Sequence, residues 1–281
     1  MAGLIRYGSE DAVASRMPSP SIWSDCRVST FLENPQVGAH MFDDFRNSVV
    51  LPNVSGVAQI VGDANWYAFA ESESVADTAL QADDEGVLLL QTDGTDQDIY
   101  AITTGANVAG VWKAPSAGNA KGYWFEARIK VNTVTDGDIG LFVGLAEPGE
   151  AANALGVFAG DAAALATDKT YVGFAILEGD GDDLCIVYDE DDSGTASKTT
   201  GKITLAANTW VRVGFRVKSG YVRFYKDGED LGDDVAIDIR QANVNWPSAH
   251  DLDAIVSLVS GSGASNDDGV YIDWVRVAME Y

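Results

Sequence analysis

Over the second half of the chain, apolar and polar side chains alternate with a period of two, and short polar breaks separate the alternating runs. Residues 209–217 alternate, Lys218, Ser219 and Gly220 supply a tight turn, 221–226 alternate again, and Asp227-Gly228 turns the chain once more. Two alternating runs joined by a short Gly-containing turn predict a β-hairpin. The run "GYWFEARIKVNT" (122–133) predicts a longer strand, with Trp124, Glu126, Arg128 and Lys130 on one face. Tyr123, Phe125, Ala127, Ile129 and Val131 take the other face, as the two-residue repeat of a strand requires. Its predicted partner is 137–147, with Asp136-Gly137 closing the turn between them.

Further strands are predicted from about 41 onward, at 65–72, on either side of an Asp93-Gly94 turn within 86–104, and at 170–177, 183–190, 202–206, 234–241, 253–261 and 269–280. A dozen or more strands with turn residues between them predict an all-β, antiparallel β-sandwich or jelly roll. Residues 148–169 break the rhythm: they are rich in Ala, but Gly149, Gly156 and Gly160 argue against one long helix. That stretch reads as an excursion over a sheet edge. Residues 1–40 show no sustained period, three prolines (Pro18, Pro20, Pro35) and scattered large apolar residues. They read as an extended N-terminal arm that docks on its own sandwich or on a neighbour, leaving 41–281 as the sandwich domain. The candidate anchors are Ile5, Tyr7, Ile22, Trp23 and Phe31.

A chain of 281 residues buries roughly three quarters of its unfolded surface, so the core needs no cross-links. Cys26 and Cys185 lie far apart and are expected as free thiols. The opening stretch has acids early and no apolar signal-peptide core, and no run reaches the length of a membrane span. Synthesis in a cytoplasm without a signal peptide is the expectation. Charge changes the picture more. There are 43 acidic against 18 basic side chains, a net charge of −25, which disfavours nucleic acid as a partner. Many acids sit in turns such as "EGDGDD", "DEDDSG" and "DGEDLGDD". There a carboxylate caps nearby backbone N–H groups.

The order "GYWFEARIKV", "GDIGLFVGLAE", "TYVGFAILEGDGDDLCIVY", "NTWVRVGFRV", "GYVRFYKDGE" and terminal "YIDWVRV" resembles the concanavalin A-like, or laminin-G-like, jelly roll. The resemblance covers roughly 41–281. It implies that the Trp-led strand and the strand ending in "FYKDG" are sheet neighbours, and that the last strand returns beside the first ones. More narrowly, the chain resembles the lectin-like structural proteins of tailed-bacteriophage virions. That resemblance implies a non-enzymatic capsid-decoration, or cement, protein on the virion surface. Its partners would be the major capsid protein and neighbouring copies of itself, in a dimer or trimer.

The candidate chemistry is sparse. Laminarinase-like relatives of this fold carry their paired acids as Glu-x-Asp-x-x-Glu on one strand, and this sequence has no such motif. Hydrolysis needs two carboxyl groups flanking the bond, so no catalytic residue is assigned and a glycan hydrolase is the least favoured reading. His40 and His250 are the two histidines, and no Gly-x-Ser-x-Gly elbow accompanies them. No cofactor is expected beyond calcium, for which Asp180, Asp182, Asp189 and Asp191 are loop candidates with hard oxygen ligands. The alternative to a capsid role is a carbohydrate-binding, lectin-like module for host-surface glycans. Trp112, Trp124 and Trp246 are its candidate stacking residues.

Overall fold

The computed structural model describes residues 16–51, 57–61, 64–70, 78–81, 86–92, 94–105, 110–116, 121–152, 156–159, 162–191, 195–241, 244–265 and 267–281. The chain enters through two short helices, α1 (Pro20–Trp23) and α2 (Val28–Glu33). The strands β1 (Gly38–Asp43), β2 (Val49–Leu51), β3 (Val57–Val61), β4 (Asn65–Ala70), β5 (Thr78–Gln81), β6 (Val87–Gln91) and β7 (Ile99–Thr103) follow. After β8 (Trp112–Lys113) come the long strands β9 (Tyr123–Val131) and β10 (Ile139–Ala146), then the two-residue β11 (Phe158–Ala159) and β12 (Ala164–Leu165). The remaining strands are β13 (Tyr171–Ile176), β14 (Cys185–Asp189), β15 (Ser197–Thr199), β16 (Val211–Lys218), β17 (Tyr221–Lys226), β18 (Glu229–Asp230), β19 (Ile237–Asp238), β20 (Asp251–Ser260) and β21 (Gly269–Glu280).

These strands build an antiparallel jelly-roll sandwich of two large sheets. Sheet A runs β18-β17-β16-β9-β21-β6-β5, with β1 also on β21 and β19 on β17. Sheet B runs β15-β14-β13-β10-β20-β7-β4-β3-β2, with β8 also on β20. The predicted hairpin is β16–β17, in register Val213↔Lys226 to Lys218↔Tyr221. Its turn holds Ser219 at φ 52 and Gly220 at φ 82. Two successive left-handed residues match the right-handed twist of the flanking strands. The last strand, β21, lies against β9, β6 and β1, so the C-terminal run returns beside the N-terminal one.

Three local expectations need correction. The runs 122–133 and 137–147 do not pair. β9 lies between β16 and β21, and β10 lies between β13 and β20. The link at Asp136-Gly137 carries the chain from one sheet to the other, and Phe125 and Ile129 share one interior with Leu141 and Val143. The run 202–206 makes an isolated bridge, Asp183↔Thr204, and 234–241 contributes just the two-residue β19. Both lie at the open edges of the sandwich, where few ladder partners are within reach.

The core follows from alternation. Tyr123, Phe125, Ala127, Ile129 and Val131 all point inward, and Phe215 stacks on Phe125 with centroids 5.3 Å apart. In β21 the phase of the alternation slips. Val270 and Ile272 face the core, then Val275, Val277 and Met279 do. A β-bulge between Ile272 and Trp274 inserts Asp273. One extra residue shifts every later side chain to the other face.

Candidate functional site

The outward face of sheet A is the first surface to consider, since Trp124, Glu126, Arg128 and Lys130 project from it. Trp124 is 2 % exposed and Glu126 0 %, because residues 16–33 lie across them. Glu126 accepts the Ser19 backbone N–H at 2.9 Å and the Trp23 indole N–H at 2.6 Å. Burial still raises its pKa, against the lowering effect of those bonds. Ile22, Trp23 and Phe31 pack with Trp124, Tyr225 and Ala278 in a separate apolar cluster. Gly214 makes the seat for Ile22: a Cβ there would lie 2.9 Å from its Cδ1 and 2.5 Å from the Phe125 carbonyl oxygen. Asp25 accepts from Lys218 Nζ at 2.5 Å and Trp124 Nε1 at 3.1 Å. Arg16 and Arg128 flank the bulge carboxylate of Asp273 at 2.5 and 2.6 Å.

The predicted anchors Ile22, Trp23 and Phe31 are thus buried against their own sheet. Ile5 and Tyr7 lie outside the described residues. Beyond the strap, the same face carries Trp210 and Tyr271, with Lys130 Nζ 4.9 and 4.3 Å from their ring centroids.

The outward face of sheet B is apolar and also covered. Phe142, Tyr171, Ala175, Cys185 and Val187 project from β10, β13 and β14 into a second cluster. Ala151, Val157, Phe158, Ala162 and Leu165 of the 148–169 excursion close over them. Tyr171 pins the cover by donating its hydroxyl to the Ala166 carbonyl at 2.9 Å. β10 and β13 are therefore buried on both faces. No carboxylate of β13 lines this face, since its sequence is YVGFAI.

An open cleft lies at one edge. Between β14–β15 of sheet B and β17–β19 of sheet A lies a cleft of about 580 Å³. Tyr188 and Thr199 line it from sheet B, and Tyr221, Asp238, Gln241 and Asn245 from the sheet A side. The Arg240 guanidinium sits 4.3 Å from the centre of the Tyr221 ring and donates to Asp238 through Nε at 2.7 Å and Nη2 at 3.0 Å. Asn245 is held by donating to the Thr195 carbonyl at 2.6 Å. The result is two phenol rings among ordered amide and carboxylate groups. Pockets of this size with a few fixed polar groups suit small ligands or single sugar units.

Two carboxyls of the cleft are held in their ionised form by neighbouring cations. The hydrogen bonds from Arg240 push Asp238 down to about 2, and Lys202 holds Asp234 below its ordinary value. The carboxyls pushed upward lie elsewhere. Burial raises Glu126 under the strap. Burial also raises Asp253 to about 6, although Val111 N–H and the Thr104 hydroxyl bond it. Neither lines the cleft. Burial, then the Arg276 charge, lowers His40 to about 4. It accepts from Arg276 Nε at 3.0 Å beneath the strap.

The other predicted site residues are not brought together. Trp112, Trp124 and Trp246 are each at most 3 % exposed, and Trp246 donates to the Pro115 carbonyl at 3.0 Å. Trp124 and Trp246 are therefore corrected from glycan contacts to structural residues. The strap adds a second layer over Trp124, and the Pro247 loop folds inward. Asp180 is engaged by Lys198 at 2.7 Å and by the Leu177 N–H at 3.0 Å. Asp189 accepts the Glu190 N–H at 3.0 Å. Asp182 and Asp191 are exposed on separate turns. Among the described residues no group of three or more His, Cys, Asp or Glu is placed to hold a metal ion. Reading the sequence for Trp alone missed Tyr188, Tyr221, Gln241 and Asn245. The period-two set Tyr221, Arg223 and Tyr225, opposite the core-facing Val222 and Phe224, was the signal that could have found Tyr221.

No protein-family model and no curated protein matches the chain. Solved structures do. An endo-acting O-glycanase of the human gut microbiota, of the kind that initiates mucin breakdown, superposes with a TM-score of 0.55 at 13% identity. That match covers 84% of this chain and 97% of the other. An endo-1,3-β-glucanase from Streptomyces sioyaensis gives 0.51 at 14% identity over 87% and 97% of the two chains. A family 16 glycosyl hydrolase from Mycobacterium smegmatis gives 0.50 at 15% identity over 84% and 98%. These proteins share the concanavalin A-like jelly roll with this chain. They overturn the capsid-decoration role expected from the sequence. The proteins resembled are glycan hydrolases, and the glycan-directed alternative accords with them better.

Proposed function

We propose that the protein is a non-hydrolytic, lectin-like glycan-binding module whose ligand occupies the cleft at the sandwich edge. The observation that carries this reading is the placement of Tyr188 and Tyr221 in a cleft with ordered hydrogen-bonding groups, while the chain itself covers the outward face of β10 and β13 and the Trp124 part of sheet A. Sugars offer apolar ring faces rimmed by hydroxyls, so a phenol beside fixed acceptors and donors matches both parts. The glycan hydrolases that share the fold support a glycan as the ligand class.

The charge states of two cleft carboxyls support binding without cleavage. A glycosidase needs one carboxyl kept protonated near neutral pH to act as general acid. Asp234 and Asp238 are held ionised by Lys202 and Arg240. Glu126 and Asp253, whose pKa values are raised, are sealed away from the cleft.

A glycan array followed by calorimetry on the hits tests the reading. The protein should retain at least one glycan class, and Tyr221→Ala should weaken it roughly tenfold, the scale of one lost stacking contact, with an unchanged thermal midpoint. Release of reducing ends from a retained glycan, or retention that survives both Tyr221→Ala and Tyr188→Ala, would overturn it.

A further inference from the structure

We propose that the tip of the β16–β17 hairpin recognises an acidic substituent, a carboxylate or a sulfate, on the glycan held in the edge cleft. The proposal rests on the glycan-binding reading of that cleft and adds the chemical class of its ligand.

On the outward face at the hairpin end, Arg216 and Arg223 are direct cross-strand partners, and so are Lys218 and Tyr221. With Ser219 they line a groove of about 300 Å³. Like charges directly opposite one another on two strands destabilise the pair. The chain has 18 basic residues against 43 acidic ones, so three cations converging on one small square is not a by-product of composition. Such an arrangement is stable when anions sit between the cations.

The chain supplies anions from two separate segments. Asp25 of the strap reaches Lys218 Nζ at 2.5 Å and Arg216 Nη1 at 3.4 Å. From the loop after β18, Asp233 reaches Arg223 Nη1 at 2.5 Å, with Asp230 at 3.8 Å. A carboxylate is therefore already the group this array accepts. Asp233 is 89% exposed, and a solvent-exposed pair of this kind contributes little, so a ligand anion can take its place.

The groove and the cleft adjoin, because Tyr221 and Arg223 line both. Tyr221 is 42% exposed and forms the wall between them. A glycan seated against it presents its next substituent to Arg223 and Lys218. The net charge of −25 repels polyanions at long range, so the ligand carries isolated acid groups among neutral sugars.

The test is an array of neutral oligosaccharides beside counterparts that bear one uronate, one sialic acid or one sulfate ester, read for wild type, Lys218→Ala and Asp25→Asn. Lys218 lines the groove and not the cleft, and its side chain is 57% exposed, so its loss spares the fold. Acid-bearing forms should bind roughly tenfold more tightly than their neutral counterparts, as expected for a charge-assisted contact. Lys218→Ala should remove that advantage and leave neutral binding unchanged. Asp25→Asn should strengthen acid-bearing binding severalfold by withdrawing the competing carboxylate. The uronate, sialic acid and sulfate arms separate the two anion chemistries. Equal binding of neutral and acidic forms, unaffected by Lys218→Ala, overturns the acid-group inference and leaves the glycan-binding reading standing. Retention of no glycan in either set overturns both.

Discussion

Glu126 receives the indole N–H of Trp23 at 2.6 Å, across 103 positions of sequence. The same carboxylate receives the Ser19 N–H, so one buried acid anchors the strap at two points. Glu126→Leu would leave both donors unpaired in a dry layer, which costs about 2–4 kcal/mol. Glu126→Gln keeps an acceptor and should cost about 1 kcal/mol. Urea unfolding measures both. Trypsin should cut Glu126→Leu faster at Arg27 than wild type, because the strap would be loosened. An unchanged cleavage rate would show that this carboxylate does not hold the strap.

Asp273, the extra residue of the bulge, is fully buried beside Arg128. Burial lowers the Arg128 pKa, and the charge and hydrogen bond of Asp273 oppose that. Asp273→Ala would strand a guanidinium under the strap. Breaking one side of a buried pair costs about 3–5 kcal/mol. A loss below about 1 kcal/mol in denaturant titration would count against this role of the bulge.

Asp253 gives a pH dependence with a definite sign. Its folded pKa is about 6, above the ordinary 3.8, and burial is the cause. The folded chain then holds this proton more tightly than the unfolded chain between about pH 4 and 6. This group's contribution to stability is greatest at the acid end and falls as pH rises through 6. Asp253→Asn keeps an acceptor for the Val111 N–H and removes the charge. It should raise the thermal midpoint at pH 7, by on the order of 1–2 kcal/mol of stability, and leave it nearly unchanged at pH 4. Parallel midpoint-against-pH curves for wild type and variant would contradict this.

Much of the fold was legible because alternation reports which face of a strand meets the core. It placed Phe125, Ala127 and Ile129 inside, and the Ser219-Gly220 turn marked the β16–β17 hairpin. Alternation says nothing about a second layer on the other face. Trp124 therefore read as a candidate glycan contact, when the strap in fact buries it together with Glu126. Pairing was less legible than faces. Asp136-Gly137 has the chemistry of a hairpin turn, yet it carries the chain between sheets, since partners such as β16 and β21 are remote in sequence. The cleft was hidden for the same reason. Tyr188 and Tyr221 belong to different sheets and meet at an edge that only the whole topology creates. The turn acids behave as local chemistry dictates: Asp43 receives the Phe45 N–H, Asp230 that of Gly232 and Asp238 that of Arg240.

The central strands β10 and β13, walled in above and below, set a gradient of rigidity across the molecule. Their amides lie farthest from solvent and exchange with deuterium only on global opening, whereas the short β18 and β19 at the rim breathe locally at far lower free energy. The margin around the edge cleft can thus adjust its shape without disturbing the stiff middle that supports it.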